Sequence, residues 1–304
     1  MKCLVIGGIT IDVEGSPKGK LLLRDSNLGK VKIKPGGVGR NIATNMSLMG
    51  LDTTIISYIG EDYLGDVALA DLKNHHISYI VEKDKDSSTA IYLSLLNEEG
   101  DMEVALNDME VMKKMSVNFF KKHISKIREY DLIVLDCNLE KESLDYLGES
   151  LKDKTLILDT VSFAKAARAR DILQYIDSIK PNVLEAEALL GVKIDSEEKV
   201  IDAANTLLKK GVKNVYLTLD KDGVYYTDGK SSGFLRPKSR IKLRSATGAG
   251  DSFTASIVLG KDENMNIKDI ANVGMKASEI AMESLDSVNE NMSYIEMKRR
   301  LEEC

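Results

Sequence analysis

A carboxylate set at the start of a helix, behind a run of small residues, is the feature of this chain best suited to chemistry. Ala246-Thr247-Gly248-Ala249-Gly250-Asp251-Ser252-Phe253 follows an extended segment, Arg240–Arg244, and opens a helix whose apolar face carries Phe253, Ile257 and Val258. Small residues leave the first amides of the helix uncovered, and the helix dipole makes that end partly positive, so the site suits phosphate. A carboxylate beside a bound phosphate can take a proton from an attacking hydroxyl, while the amides stabilise charge on the group in transfer. Asp251 would also suit a helix N-terminus for electrostatic reasons alone.

Three further constellations carry polar groups in usable patterns. Lys34-Pro35-Gly36-Gly37-Val38-Gly39-Arg40-Asn41 precedes a helix. Its glycine pair lets backbone approach a ligand closely, and Asn41 offers a donor and an acceptor to a hydroxyl; a tight turn would use the same residues. The spacing is neither G-x-G-x-x-G nor a Walker A motif, and no G-x-x-x-x-G-K-[ST] occurs, so nucleotide use would need another fold. Lys180-Pro181-Asn182-Val183-Leu184-Glu185 follows an apolar run. Asn182 and Glu185 stand three apart at a helix start, where they form either a magnesium-positioning pair acting through water or a capping box. Gly8 to Asp12 closes the first apolar run, and Asp12 there would accept sugar hydroxyls or simply sit in a turn.

The elements that must position these groups alternate. Leu4–Gly8, Thr54–Ile59, Leu132–Asp136, Thr155–Asp159, Ser178–Pro181 and Val215–Leu219 are Val/Ile/Leu-rich, as strands buried on both faces are. Between them lie amphipathic stretches: Val38, Ile42, Met46 and Met49 before Gly50; Leu184, Ala188 and Leu189 before Gly191; Ile201, Ala204, Leu207 and Leu208 before Gly211. The alternation predicts one α/β domain over 1–304, a mostly parallel sheet with helices on both faces. Residues 13–34 and 78–106 break the pattern and predict a small β-sheet standing off the core as a lid. Ile91–Leu96 is one of its strands, Asn97-Glu98-Glu99-Gly100 a turn, and Met102–Leu106 the returning partner.

Composition narrows the function classes. The chain has 304 residues, 43% of them hydrophobic, and a net charge of −6, which disfavours non-specific nucleic-acid binding. No apolar run reaches membrane-spanning length, and the apolar start of MKCLVIGGITIDVEG reads as a buried strand rather than a signal core. Three widely spaced cysteines, Cys3, Cys137 and Cys304, form no disulfide framework or metal knuckle, and point to a reducing, cytoplasmic setting. His75, His76 and His123 fall in no metal or catalytic pattern.

Taken together, the order and spacing of these motifs resemble the ribokinase-like (PfkB) carbohydrate kinases over essentially the whole chain. The matching features are Gly-Gly-x-Gly-x-Asn at 36–41, Asn-x-x-Glu at 182–185, a Thr-Leu strand end at 218–219 and Gly-Ala-Gly-Asp at 248–251. The resemblance implies a doubly wound domain with a β lid that often mediates homodimerisation. It implies Asp251 as catalytic base and Gly248, Ala249 and Gly250 as an anion hole. Asp12, Gly36, Gly37 and Asn41 would bind substrate hydroxyls. Asn182, Glu185, Thr218 and Thr247 would position Mg-ATP, with Glu185 reaching the metal through water. Many relatives also place potassium near the anion hole. The adenine pocket would draw on Asn272–Asn289. One departure stands out: Asp220 replaces a glycine of the nucleotide motif, setting a carboxylate where backbone usually passes close to the nucleotide.

Within the family, the wording is closest to the pseudouridine kinase subgroup. Val38 and Arg40, Tyr92–Leu96 with Asn107-Asp108, and Asp159-Thr160-Val161-Ser162 with Lys165 carry that likeness. It implies ATP-dependent phosphorylation of the nucleoside 5′-hydroxyl, with Asn107 and Lys165 added to the substrate side. Two competing readings are a kinase of ribose, another sugar or another nucleoside, and a catalytically silent ligand-binding sensor, which only Asp220 favours.

Overall fold

Strands that are apolar on both sides need helices on both faces, and the chain supplies them. The computed structural model describes residues 1–237 and 243–302. Its strands are β1 Lys2–Ile6, β2 Thr10–Pro17, β3 Gly29–Gly36, β4 Asp52–Gly60, β5 Ser78–Asp84, β6 Ile91–Leu96, β7 Met102–Asp108, β8 Leu132–Asp136, β9 Thr155–Asp159, β10 Ser178–Ile179, β11 Asn214–Thr218, β12 Val224–Thr227 and β13 Ser232–Leu235. Its helices are α1 Val38–Leu48, α2 Tyr63–Asn74, α3 Val117–Ile127, α4 Lys141–Ser150, α5 Phe163–Ala166, α6 Val183–Leu190, α7 Glu197–Lys209, α8 Ala249–Asp262, α9 Ile267–Met282 and α10 Tyr294–Glu302.

Nine strands form the main sheet in the order β13-β12-β11-β10-β9-β8-β1-β4-β5. The seven from β11 to β5 run parallel; β12 and β13 add an antiparallel edge. Alternation along β1 shows how both faces are used. Leu4 and Ile6 join the core under α3, α4, α6 and α7. Cys3 and Val5 join the core under α1, α2, α8, α9 and α10. The apolar N-terminal run is thus the central strand, flanked by β4 and β8. From β1 the chain builds outward in one direction through β4 and β5 and later in the other through β8, so the strand order reverses at β1/β8. Crevices for ligands open at such switch points, beyond the carboxyl ends of the strands.

The second sheet, in the order β3-β2-β6-β7, stands apart. The returning strand expected at 102–106 is present, paired antiparallel with β6. One boundary differs from the expectation: Ser78–Asp84 is not in the small sheet but pairs parallel with β4 as the edge of the main one. The segment is extended as expected, with Ile80 on one core and Tyr79 and Val81 on the other, but which sheet it joins is set by strand pairing and not by local pattern. The strand expected at 178–181 is shorter, because Pro181 has no amide to continue the ladder. Leu184 is 56% exposed and not on the core face of α6, where Ala186, Ala188 and Leu189 lie instead. On α7 the buried set is Val200, Ala203, Ala204 and Leu207, with Ile201 and Leu208 at its margin. Part of the extended segment 240–244, and Cys304, lie outside the described residues. Cys3 and Cys137 are buried as expected. Among the described residues no helix is long and apolar enough to cross a membrane.

Candidate active site

The motifs converge at the carboxyl ends of the parallel strands. Gly7 and Gly8 follow β1, and Gly39 of α1 packs directly on them: a Cβ at Gly39 would lie 2.7 Å from the Gly7 carbonyl carbon. Gly37 caps α1 with φ +94°, a left-handed state in which a side chain is strained, and its Cβ position is 2.6 Å from the Gly8 carbonyl oxygen. The glycine segment thus lets the α1 N-terminus sit on the end of β1. Asp12, two residues into β2, accepts from Thr10 Oγ1 at 3.1 Å and lies against Gly36. Burial raises its carboxyl above the ordinary range, against the pull of Thr10, Arg40 and Lys34.

Packed against α1, α8 begins at Gly248, whose φ of +81° and close approach to the Ser287 carbonyl leave no room for a side chain. The amides of Gly250 and Asp251 are among the first donors of the helix and have no acceptor among the described residues. Asp251 Oδ2 accepts from Asn41 Nδ2 at 2.9 Å. This bond joins two segments 210 residues apart in sequence and fixes the site's geometry. Burial and the neighbouring Asp159 push the Asp251 carboxyl up to about 7; Asn41 and Lys180 oppose that rise, and Asp136 adds to it.

Beneath Asp251 lies a polar layer of Asp136, Asp159 and Lys180, whose grouping no motif in the chain indicates. Asp136 and Asp159 end adjacent strands in register, and both are buried. Asp136 accepts from the amides of Gly8 and Asn138 at 2.9 and 2.8 Å. Asp159 accepts from Thr254 Oγ1 at 2.6 Å and from the amide of Val161 at 2.9 Å. Val161 takes φ +63°, an uncommon state for a β-branched residue, to make that bond. Lys180 Nζ stands 3.8 Å from Asp159 Oδ2 and directly below Gly250. The available signal was positional: a carboxylate ending a buried apolar strand in an open α/β sheet faces the crevice.

Asn182 and Glu185 form the capping box of α6, Asn182 Oδ1 accepting the Glu185 amide at 2.8 Å and Glu185 Oε2 accepting the Asn182 amide at 3.0 Å. Thr160 Oγ1 donates to the same Oε2 at 2.5 Å, which turns Glu185 inward and Leu184 out. Among the described residues no cluster of three metal-ligating side chains forms. Glu185 is the carboxylate of this segment, and a magnesium ion carried by the nucleotide and keeping its waters would need no more than one or two carboxylates of this kind. Thr218 bridges to Asn182, and its amide donates to the Pro181 carbonyl at 2.9 Å. Thr247 is exposed in the turn before α8. Asp220 takes φ +50°, a state Asp tolerates better than most residues, and its side chain is exposed.

On the small sheet, Lys34, Asp12, Tyr92 and Asn107 stand opposite one another across four strands and so share one face. Lys34 reaches from that face to Asp286 of the main body. Asn107 is exposed at the far strand, and among the described residues no hydrogen bond ties it to Asp251. Lys165, on α5, donates to Asn138 Oδ1, and burial lowers its ammonium below the ordinary range.

Comparison with known proteins adds four findings. The sequence pattern of the pfkB family carbohydrate kinases matches residues 1–292. Pseudouridine kinase of Escherichia coli (strain K12) is 35% identical over 258 residues, 84% of this chain and 82% of that protein. Guanosine-inosine kinase of Exiguobacterium acetylicum is 27% identical over 91% of this chain and 93% of that one. A solved carbohydrate kinase from Agrobacterium tumefaciens superposes with a TM-score of 0.89 at 27% identity, covering 99% of this chain and 97% of that one. The fold is ribokinase-like.

Proposed function

Because the chain belongs to the pfkB family of carbohydrate kinases, we propose that it transfers the γ-phosphoryl group of ATP to the 5′-hydroxyl of pseudouridine. The observation that carries this reading is the Asp251 carboxylate, held by Asn41 at the open N-terminus of α8 with a raised proton affinity. Asp251 takes the 5′-hydroxyl proton, the freed oxygen attacks the γ-phosphorus, and ADP leaves. The amides of Gly250 and Asp251, at the end of the Gly248–Gly250 loop, receive the charge that develops on the phosphoryl oxygens, each such donor contributing roughly 3–4 kcal/mol in the transition state. Asp12, Gly36, Gly37 and Asn41 hold the ribose hydroxyls. Asn182, Glu185, Thr218 and Thr247 hold the nucleotide side. Magnesium arriving with the triphosphate would be held near Glu185 through water and would neutralise charge on the phosphates.

The choice of pseudouridine rests on the 35% identity to the E. coli enzyme and on two groups suited to a base edge, Asn107 and Asp108, with Lys165 a further group on the substrate side. Asn107 shares the Asp12 face of the small sheet, which supports closure of that sheet over a nucleoside. The guanosine-inosine kinase likeness favours a second reading, another nucleoside. A coupled ADP-release assay on pseudouridine, uridine, inosine, adenosine, ribose and fructose separates them. Pseudouridine is expected to turn over fastest; its inertness beside an active alternative would overturn the substrate assignment and leave the kinase intact.

The other face of the small sheet bears on assembly. Val31, Ile33, Val104 and Leu106 are exposed there, and Val13, Leu93 and Leu95 stand in the same rows. A contiguous apolar sheet face of this kind marks a contact surface, and we assign it to a second copy of the chain. Light scattering at micromolar concentration is expected to give the dimer mass for the wild type and the monomer mass for Leu106→Glu. A monomeric wild type would remove the assignment.

A further inference from the structure

Arg40 immediately precedes Asn41 on α1 and is buried. Its Nε and Nη2 both lie 2.7 Å from Asp71 Oδ2, on α2. Its Nη1 donates to Asn41 Oδ1 at 3.2 Å, and Ser287 Oγ donates to the same oxygen, also at 3.2 Å. Two donors on the carbonyl side of the amide leave its NH2 group facing Asp251. Turned end for end, the amide would set NH2 against a guanidinium and a hydroxyl, and its oxygen against a carboxylate. Asp71 is itself braced from the other side, since His75 Nδ1 lies 3.4 Å from its Oδ1. Nε2 of His75 meets the exposed Glu290 at 3.2 Å.

We propose that Arg40, braced by Asp71, is a positioning residue for phosphoryl transfer: it fixes the Asn41 amide, which in turn holds the Asp251 carboxylate in its working orientation. The proposal rests on the reading of Asp251 as the base. A planar fork suits the task, because one guanidinium reaches two acceptors in different directions, which an ammonium on a flexible stem does not do at once. Arg40 touches neither reacting group, so it acts through Asn41.

The test is Arg40→Lys, with Asp71→Asn as a companion that keeps the guanidinium and removes its anchor. Both variants are expected to lower kcat by about 10–100-fold, as a misplaced reacting group does. Arg40 also faces Asp12 electrostatically, so a role in substrate binding would appear instead as a raised KM; the expected KM change is within about threefold. The ascending limb of the kcat–pH profile is expected to move to higher pH, because a hydrogen bond to the ionised base favours that form. The other groups facing Asp251 — Asp159, Asp136 and Lys180 — are unaltered in both variants. In an Asn41→Ala background, Arg40→Lys is expected to add no further shift of the limb.

Wild-type kcat and an unmoved limb in either folded variant would overturn the proposal, as would a shift that persists without Asn41. If Arg40→Lys does not fold, by thermal melting, Asp71→Asn decides alone. Failure of the underlying reading is distinct: Asp251→Asn would then retain turnover whatever Arg40 does.

Discussion

Asp251→Asn is expected to lower turnover by about 10²–10⁴-fold while the chain stays folded. The asparagine keeps the shape and can still accept from Asn41 Nδ2, so what is lost is the capacity to take a proton. In the wild type the kcat–pH profile is expected to rise toward about 7, where Asp251 ionises, and to flatten above it. The variant's residual rate should lack that limb. Stability is expected to move the other way. A carboxyl whose proton affinity is raised by folding contributes fully to stability below the ordinary carboxylate range. That contribution is lost as pH rises through the folded-state value, here about 7. Asp251→Asn is therefore expected to melt above the wild type at pH 8, with the difference vanishing near pH 4. A variant with near-wild-type turnover would remove Asp251 from the mechanism. One with no thermal gain at pH 8 would remove the burial argument for its raised proton affinity.

Lys180→Met is expected to cost about 3–5 kcal/mol of stability, because it leaves Asp159 buried without its cation. The lysine and aspartate side chains are only 7% and 3% exposed, so water cannot take over the charge. Thr254 and the Val161 amide still donate to Asp159, but hydrogen bonds alone do not neutralise it. Adding Asp159→Asn to Lys180→Met is expected to restore most of the loss, since a buried pair replaced on both sides is often nearly neutral. Chemical denaturation of the single and double variants checks this. Equal destabilisation in both would show that packing, not charge, sets the cost. The surviving activity of Lys180→Met should also need higher pH, because Lys180 opposes the rise in the Asp251 proton affinity.

These two variants mark the division between what was legible in the chain and what was not. Asp251 could be found from sequence because its surroundings are local. Small residues, a helix start and the carboxylate lie within one turn of each other, and their electrostatics hold wherever that helix is placed. The same is true of the glycine turn at 36–39 and the capping box at 182–185, which depend on backbone geometry over a few residues. The α/β class was legible because β1, β8 and β9 carry the unbroken apolar runs that only two-sided burial allows. The antiparallel pair β12 and β13 was not seen, because each is only four residues long and has no helix beside it to complete a strand–helix alternation. The boundary of the small sheet was misplaced because pairing, not local pattern, decides which sheet a strand joins, and Ser78–Asp84 pairs with the main one.

Lys180, Asp159, Asp136, Asp71 and Ser287 belong to the other category. Each sits on a different element, and no spacing in the chain tells which carboxylate a lysine will face. Their pairing follows from the order of strands in the sheet, which sets Asp136 beside Asp159 and both beneath α8. The sequence alone pointed to residue types and local shapes able to present a candidate site. Only the tertiary structure decided the electrostatic surroundings of Asp251, because burial and the distance between charges are properties of packed elements rather than of neighbours along the chain.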